Sequence, residues 1–281
     1  GSDNYLLRHC IEDNLLQHLD IGTANAKTFT VSFWVRSSKT GTYCLQIRDM
    51  PATDHAVVEY TISSADTWEH KVITIAGNTG GNMTVAGNAG YDLHWHLSTG
   101  SSDHESATNN AFADNSSNLF RATSNQVNLF DSATAEWYIT GIQFEVGPQA
   151  TSFEHRSFAE ELALCKRYYQ KSYAYGTAPG TTNSFLNQII GRAYSSVSNR
   201  MDLRDRFEVE MRTTPTMTTY TPSGGTTGKL EDYASSTGTS AGTARDVSAV
   251  RNLGNKGFGG ITVSSPQDGV LGVHYTVDAE L

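Results

Sequence analysis

Sugar recognition needs flat aromatic faces for the C–H surfaces of pyranose rings. It also needs amide, carboxylate and guanidinium groups that meet hydroxyls at the edges. Trp34 is the leading candidate for the aromatic face. It sits in residues 28–36 (TFTVSFWVR), where Phe29, Val31, Phe33 and Val35 alternate with Thr30, Ser32, Trp34 and Arg36, so the indole falls in the polar register of a strand. Residues 43–48 and 92–97 alternate in the same way and place Gln46 and Arg48, and Asp92, His94 and His96, in their own polar registers. If these three strands share a sheet, Trp34, Arg36, Gln46, Arg48, Asp92, His94 and His96 line one face, a candidate carbohydrate platform. The competing reading packs Trp34 under a loop or against another subunit, because large aromatics usually bury most of their area. Trp68, Trp95 and Trp137 are expected in the core; Tyr43, Tyr60 and Tyr91 fit either place.

Other chemistry is weakly signalled. His94-x-His96 puts two imidazoles on one strand face, but a zinc or iron site needs further ligands. Hydrogen-bonded or solvated histidines are the plainer expectation. Asp13, Asp103, Asp131 and Glu145 are potential calcium ligands without any loop spacing that unites them. No metal and no cofactor is expected. The sequence has no GxSxG and no HExxH, and GGTTGKL at 224–230 has the wrong spacing for a phosphate-binding loop. A pair of carboxylates for glycoside hydrolysis is not readable from spacing. The expectation is a binding protein and not an enzyme, with polysaccharide depolymerase and ligand-free trimerisation domain as the alternatives.

Composition narrows the partners. The 281 residues carry 20 Lys+Arg against 29 Asp+Glu, a formal charge of -9, which offers no footprint for nucleic acid. Only 17% of residues are charged, and Ser, Thr, Gly and Asn fill the surface, as suits neutral, hydroxyl-rich partners. No run of apolar residues is long enough for a membrane span. Cys10, Cys44 and Cys165 are isolated, odd in number and far apart, so reduced thiols are expected rather than a disulfide framework. The N-terminus shows no secretory leader and reads as an interior start.

The elements that must position these residues are mostly strands. Residues 57–62, 69–75, 126–130 and 136–146 join the three already named, an all-β pattern that predicts an antiparallel sandwich. The long polar stretch 98–124 predicts an excursion or a contact with a neighbour. Ser157 and Glu160 form an S-x-x-E capping box, and Phe158, Leu162, Cys165 and Tyr169 make one apolar stripe along a short amphipathic helix. That helix is too short to persist alone in water, so the stripe is expected to dock on a sheet. A second β region follows, with alternation over 207–212 ended by Pro215, a Gly/Ser/Thr-rich loop zone over 221–246, and closing strands near 257–262 and 270–277. The expected domains are 1–152, a linking helix segment 153–172, and a smaller C-terminal β-domain 173–281.

Two parts of the chain resemble known families. FTVSFWVRS at 29–37, TWEHKVITI at 67–75 and YITGIQFEVG at 138–147 resemble the jelly-roll fold of carbohydrate-binding modules. FEHRSFAEELALCKRYYQ at 153–170, FEVEMRTTPTMTTY at 207–220 and the terminal TVDAEL resemble the distal region of bacteriophage tail fibres and tail-tip proteins. The resemblance implies a virion protein, assembled in the host cytoplasm and joined to upstream fibre segments. It implies a homotrimer that binds a host cell-surface glycan, lipopolysaccharide or capsule. It supplies no catalytic residues.

Overall fold

A computed structural model describes residues 4–50, 54–83, 87–105, 110–113, 121–194, 200–201, 204–233, 242–263 and 269–280. The chain divides into two compact units, with the boundary between His155 and Arg156. Among the described residues it is all-β, with antiparallel sheets, one short parallel pair and one α-helix.

The first unit is a sandwich built from β1 (Asn4–Glu12), β2 (Phe29–Ser37), β3 (Gly41–Asp49), β4 (His55–Ile62), β5 (Glu69–Ile75), β6 (Ala89–Thr99), the short β7 (His104–Glu105) and β8 (Ala122–Thr123), and β9 (Trp137–Val146). One sheet has the order β1-β6-β3-β4 and the other β5-β2-β9. Successive strands thus switch sheets, as a jelly roll requires: β2 lies in the three-stranded sheet, β3 and β4 in the four-stranded one, β5 returns, β6 crosses again. The inward registers meet in one core. Phe29, Val31, Phe33 and Val35 of β2 pack against Leu45 and Ile47 of β3, Tyr60 of β4, and Leu93 and Trp95 of β6. The Phe33 ring meets Tyr60 edge-on at 5.2 Å and Trp95 at 5.8 Å. Each such side chain, fully buried, contributes ~1.5–3 kcal/mol through the hydrophobic effect.

The sandwich corrects two sequence expectations. Residues 126–130 are not a strand: Gln126 makes a single bridge to Thr42, and Leu129–Asp131 is a 3-10 turn capped by the Asn128 side chain. Trp68 is not in the core but stands exposed beside β5. Trp95 is fully buried and Trp137 packs against the core, while Tyr43, Tyr60 and Tyr91 are all buried.

The second unit opens with α1 (Phe158–Lys166), whose Ser157 cap and Glu160 form the reciprocal capping box read from the sequence. The apolar stripe does not dock. No α1 residue is buried, and Phe158 remains 67% exposed. The helix is held at its C-terminal end instead. Lys166 pairs with Glu208, Arg167 O accepts from Arg212 N (2.8 Å), and Tyr168 O accepts from Ala279 N (2.8 Å).

The strands of this unit are β10 (Tyr169–Lys171), β11 (Ile189–Tyr194), β12 (Arg200–Met201), β13 (Asp205–Arg206), β14 (Thr216–Tyr220), β15 (Lys229–Tyr233), β16 (Thr243–Arg251), β17 (Gly257–Phe258), β18 (Gly260–Val263) and β19 (Gly269–Asp278). Six of them pair in a closed ring, β15-β16-β18-β12-β11-β19 and back to β15. Closure gives each of the six a partner on both sides over at least part of its length, although Ile189–Arg192 of β11 lie beyond the reach of β12. Leu230, Ile261, Val263, Leu271 and Val273 contribute to its core. The second half of β19 continues between β10 and β14. Two expectations fail here. The Gly/Ser/Thr-rich zone 221–246 contains β15 and the start of β16. Pro215 precedes a strand, β14, rather than ending one over 207–212.

Candidate functional site

The outer face of the three-stranded sheet is aromatic and open around Trp34, while Thr30 and Ser32 on the same face are buried. Along β2 the outward positions are Thr30, Ser32, Trp34 and Arg36. Cross-strand pairing sets Trp34 between His70 of β5 and Thr140 of β9, and Arg36 opposite Tyr138 of β9. Trp34 is 43% exposed, with its ring 5.1 Å from that of His70 and tilted by 32°. The Arg36 guanidinium carbon lies 5.5 Å from the centre of the Tyr138 ring, within reach of a cation–π contact. Asp66 holds the same guanidinium at 3.3 Å, and Trp68 approaches Tyr138 at 6.4 Å. Trp68 and Tyr138 are also exposed.

A glycine makes room for the indole. β2 and β9 slip register between Ser32 and Trp34, and Gly141 stands in the slip with a φ of 58°. A Cβ there would lie 3.3 Å from Trp34 Cδ1 and 3.8 Å from the Phe153 ring. The glycine thus serves both a left-handed backbone and a close aromatic approach. The chain after β9 folds back beside this face. Gln143 Oε1 accepts from Glu154 N at 2.8 Å, and Glu145 accepts from Thr151 N at 3.1 Å.

The outer face of the four-stranded sheet is polar and covered. It carries the other predicted site residues, Gln46, Arg48, Asp92, His94 and His96, and all except Arg48 are buried. The single face expected from the sequence therefore does not form. Trp34 and Arg36 belong to one sheet and the remaining five to the other, because the chain changes sheets between β2 and β3. The described end of the 98–124 stretch, with Gln126 just beyond it, crosses the five. Gln126 Oε1 accepts from Cys44 N at 2.7 Å, Gln126 Nε2 donates to His96 O at 3.0 Å, and Ala122 packs on Cys44 and Val57.

Beneath it most of the polar groups satisfy one another, with His94 Nε2 as an exception. Gln46 Oε1 lies 3.1 Å from His94 Nδ1 and 3.3 Å from His96 Nε2, and Asn4 Oδ1 lies 3.1 Å from His96 Nδ1. Arg8 forks onto Asp92, with Nε to Oδ2 at 2.9 Å and Nη2 to Oδ1 at 3.0 Å. Burial alone would raise the Asp92 carboxyl. The His94 Nε2 at 3.5 Å, hydrogen bonds from Arg8 and Cys10, and the Arg8 charge outweigh it and hold the group well below the usual carboxylate range. Burial, then the charges of His94 and Arg121, lowers His96 to about 3, so its ring is neutral at pH 7.

Among the described residues no three His, Cys, Asp or Glu side chains gather as metal ligands. The four carboxylates considered for calcium each have separate partners: Asp13 accepts from Gly87 N and Asn88 N, Asp103 faces Arg121, Asp131 pairs with Lys39, and Glu145 takes Thr151.

One Ser–His contact went unnoticed in the sequence. In the second unit His274 Nδ1 lies 2.9 Å from Ser172 Oγ, while its Nε2 donates to Ser184 O at 2.7 Å. The Ser172 oxygen also accepts from Tyr275 N at 2.9 Å, and Tyr173 stacks on the imidazole at 3.9 Å. Serine, imidazole and ring together fasten the segment after β10 to β19.

His70, Trp68, Tyr138 and Phe153 were not foreseen as neighbours of Trp34. The outward register of β5 and β9 was the available signal, but it needed the sheet order to be useful. No protein-family model matches the sequence, and no curated protein matches it. Fold and site define a two-unit all-β protein whose sandwich presents one open aromatic sheet face.

Proposed function

We propose that this protein binds glycans on the outer face of the three-stranded sheet. On this reading it is the distal, receptor-binding part of a bacteriophage tail fibre or tailspike, gripping host lipopolysaccharide or capsule during adsorption. The observation that carries the binding reading is the exposed Trp34 indole on a pleated support, bordered by His70, Arg36, Tyr138 and Trp68. Such a face stacks on sugar C–H surfaces while Arg36 and the Tyr138 hydroxyl meet hydroxyls at its margin. Aromatic area left in water carries a standing cost, and exposed patches of this kind mark contact sites.

The virion part of the reading rests on the likeness of residues 153–170, 207–220 and the terminal TVDAEL to tail-fibre tips. In a homotrimer on a fibre, weak contacts at each subunit multiply through avidity. The reading assigns no catalytic residue. Retention of the chain on immobilised host polysaccharide tests it. Trp34→Ala is expected to weaken binding about tenfold or more, as loss of a central aromatic contact does, with polymer mass unchanged. Undiminished binding by the variant removes the site from this face. New reducing ends would identify a depolymerase instead.

A further inference from the structure

The register of the four-stranded sheet sets Cys10, Asp92, Arg48 and His55 in one cross-strand row on its outer face, with Arg8, His94, Gln46 and Val57 in the next. Three guanidiniums gather there. Arg8 forks onto Asp92. Arg121, on the crossing segment, lies 3.5 Å from Asp103 and close enough to Arg48 for their charges to oppose each other. Arg48 itself is half-buried, and among the described residues it makes no hydrogen bond and no ion pair. Burial pushes its pKa down, Asp92 partly offsets this, and the charges of Arg121 and Arg8 add to the fall.

Among the described residues a guanidinium in that position has lost hydration and gained only the attraction of Asp92, and two of its neighbours carry its own sign. Among the described residues, Arg8, Arg48 and Arg121 against Asp92 and Asp103 leave the patch net positive, on a chain of formal charge -9. The side chains of Arg8 and Arg121 are 44% and 37% exposed, so the rim is reachable. Beside them His94, only 6% exposed, has an Nε2 with no hydrogen-bond partner, 3.5 Å from Asp92.

We propose that this patch is a second ligand site, which takes an oxyanion borne on a sugar, either the carboxylate of a uronic acid or a phosphate substituent. Arg48 is the principal donor and Arg8 and Arg121 flank it. A planar guanidinium matches either anion with paired N–H groups. An inorganic anion needs only the arginines. The unsatisfied His94 nitrogen calls in addition for a hydroxyl, which a sugar carries next to its acid group. The site is on the other sheet from Trp34 and does not depend on glycan binding there.

Thermal unfolding and calorimetric titration of the full chain test it, with glucuronate, glucose 6-phosphate, inorganic phosphate and glucose at matched ionic strength. At least one sugar anion is expected to bind and raise Tm, and glucose to do neither; the two sugar arms separate carboxylate from phosphate. Arg48→Met is expected to weaken that binding about tenfold or more. It should leave the ligand-free Tm unchanged or higher, because a neutral side chain removes an unpaired charge. Trp34→Ala should keep the anion response, so failure of the aromatic site and failure of this one are distinguishable. Binding of neither sugar anion, a response to inorganic phosphate alone, equal binding by Arg48→Met, or a marked drop in that variant's ligand-free Tm would each overturn the proposal.

Discussion

The two sheets of the sandwich share one core and differ on their outer faces. On the four-stranded sheet the outward residues are polar, largely buried and tied to one another: Gln46 to His94 and His96, and Asp92 to Arg8. On the three-stranded sheet Thr30 and Ser32 are buried, but the end of the face around Trp34, Trp68 and Tyr138 is aromatic and open. Each case reverses the usual pairing of polar with exposed and apolar with covered. The buried face holds because its polar groups find partners. The open face has no such compensation inside the chain, which is why contact with a ligand is sought there. Strand alternation separates two sides of a strand; only the tertiary cover decides which side meets water.

The sharpest test uses adjacent residues of β2 that face opposite ways. Phe33 is fully buried between Tyr60 and Trp95, and its replacement by alanine removes those ring contacts. Phe33→Ala is expected to cost about 3–5 kcal/mol in urea unfolding. Trp34→Ala, one residue on, is expected to cost under ~1 kcal/mol while removing glycan binding. Comparable losses of stability would mean that the indole is part of the structural core, and the contrast between the two faces would collapse.

Acid should separate the faces next. His96 is neutral in the folded state, its pKa lowered to about 3, with Gln46, Asn4, His94 and Arg121 around it. Unfolded, the ring titrates near ~6.5. Between those values the unfolded chain binds the extra proton, so the stability His96 supplies is complete above ~6.5 and falls as pH drops toward 3, by at most ~1.4 kcal/mol per pH unit. Asp92, held below its ordinary range, adds a loss of the same sign beginning near pH ~4. Urea midpoints at pH 7, 5.5 and 4.5 should fall more steeply for the wild-type chain than for His96→Gln. Parallel slopes would show that the covered face is not sealed.

The strands themselves were legible. The period-2 run over 28–36 gave β2 and its four core residues, and residues 69–75 coincide with β5. The helix was legible from its capping box, because that signal is local. Sheet membership was not. Whether β2 lies beside β3 depends on crossovers that leave no trace in either segment, so one imagined face became two real ones. Burial of the polar register was hidden too, since Gln126 and Ala122, which help cover it, are remote from β3 and β6 in sequence. Residues 126–130 alternate like a strand, yet the Asn128 side chain takes Phe130 N and turns the backbone instead. In the second unit, glycine content over 221–246 concealed β15, whose Leu230 and Tyr233 are buried.

The smallest expected effect on binding is also the most selective probe of the open face. Gly141 and Gly147 both have positive φ, at 58° and 111°, so alanine is strained at either position. Their surroundings differ. A Cβ at 141 meets Trp34 at 3.3 Å, whereas at 147 nothing lies within 4 Å. Both variants should lose about 1–2 kcal/mol of stability from backbone strain. Only Gly141→Ala should also weaken glycan retention several-fold, since the indole must move to admit the methyl group. If both weaken retention equally, the glycine acts through general loosening of the sheet, and the position of the ring over residue 141 is irrelevant to binding. If neither does, the sugar rests elsewhere on the chain even though the indole is open to water.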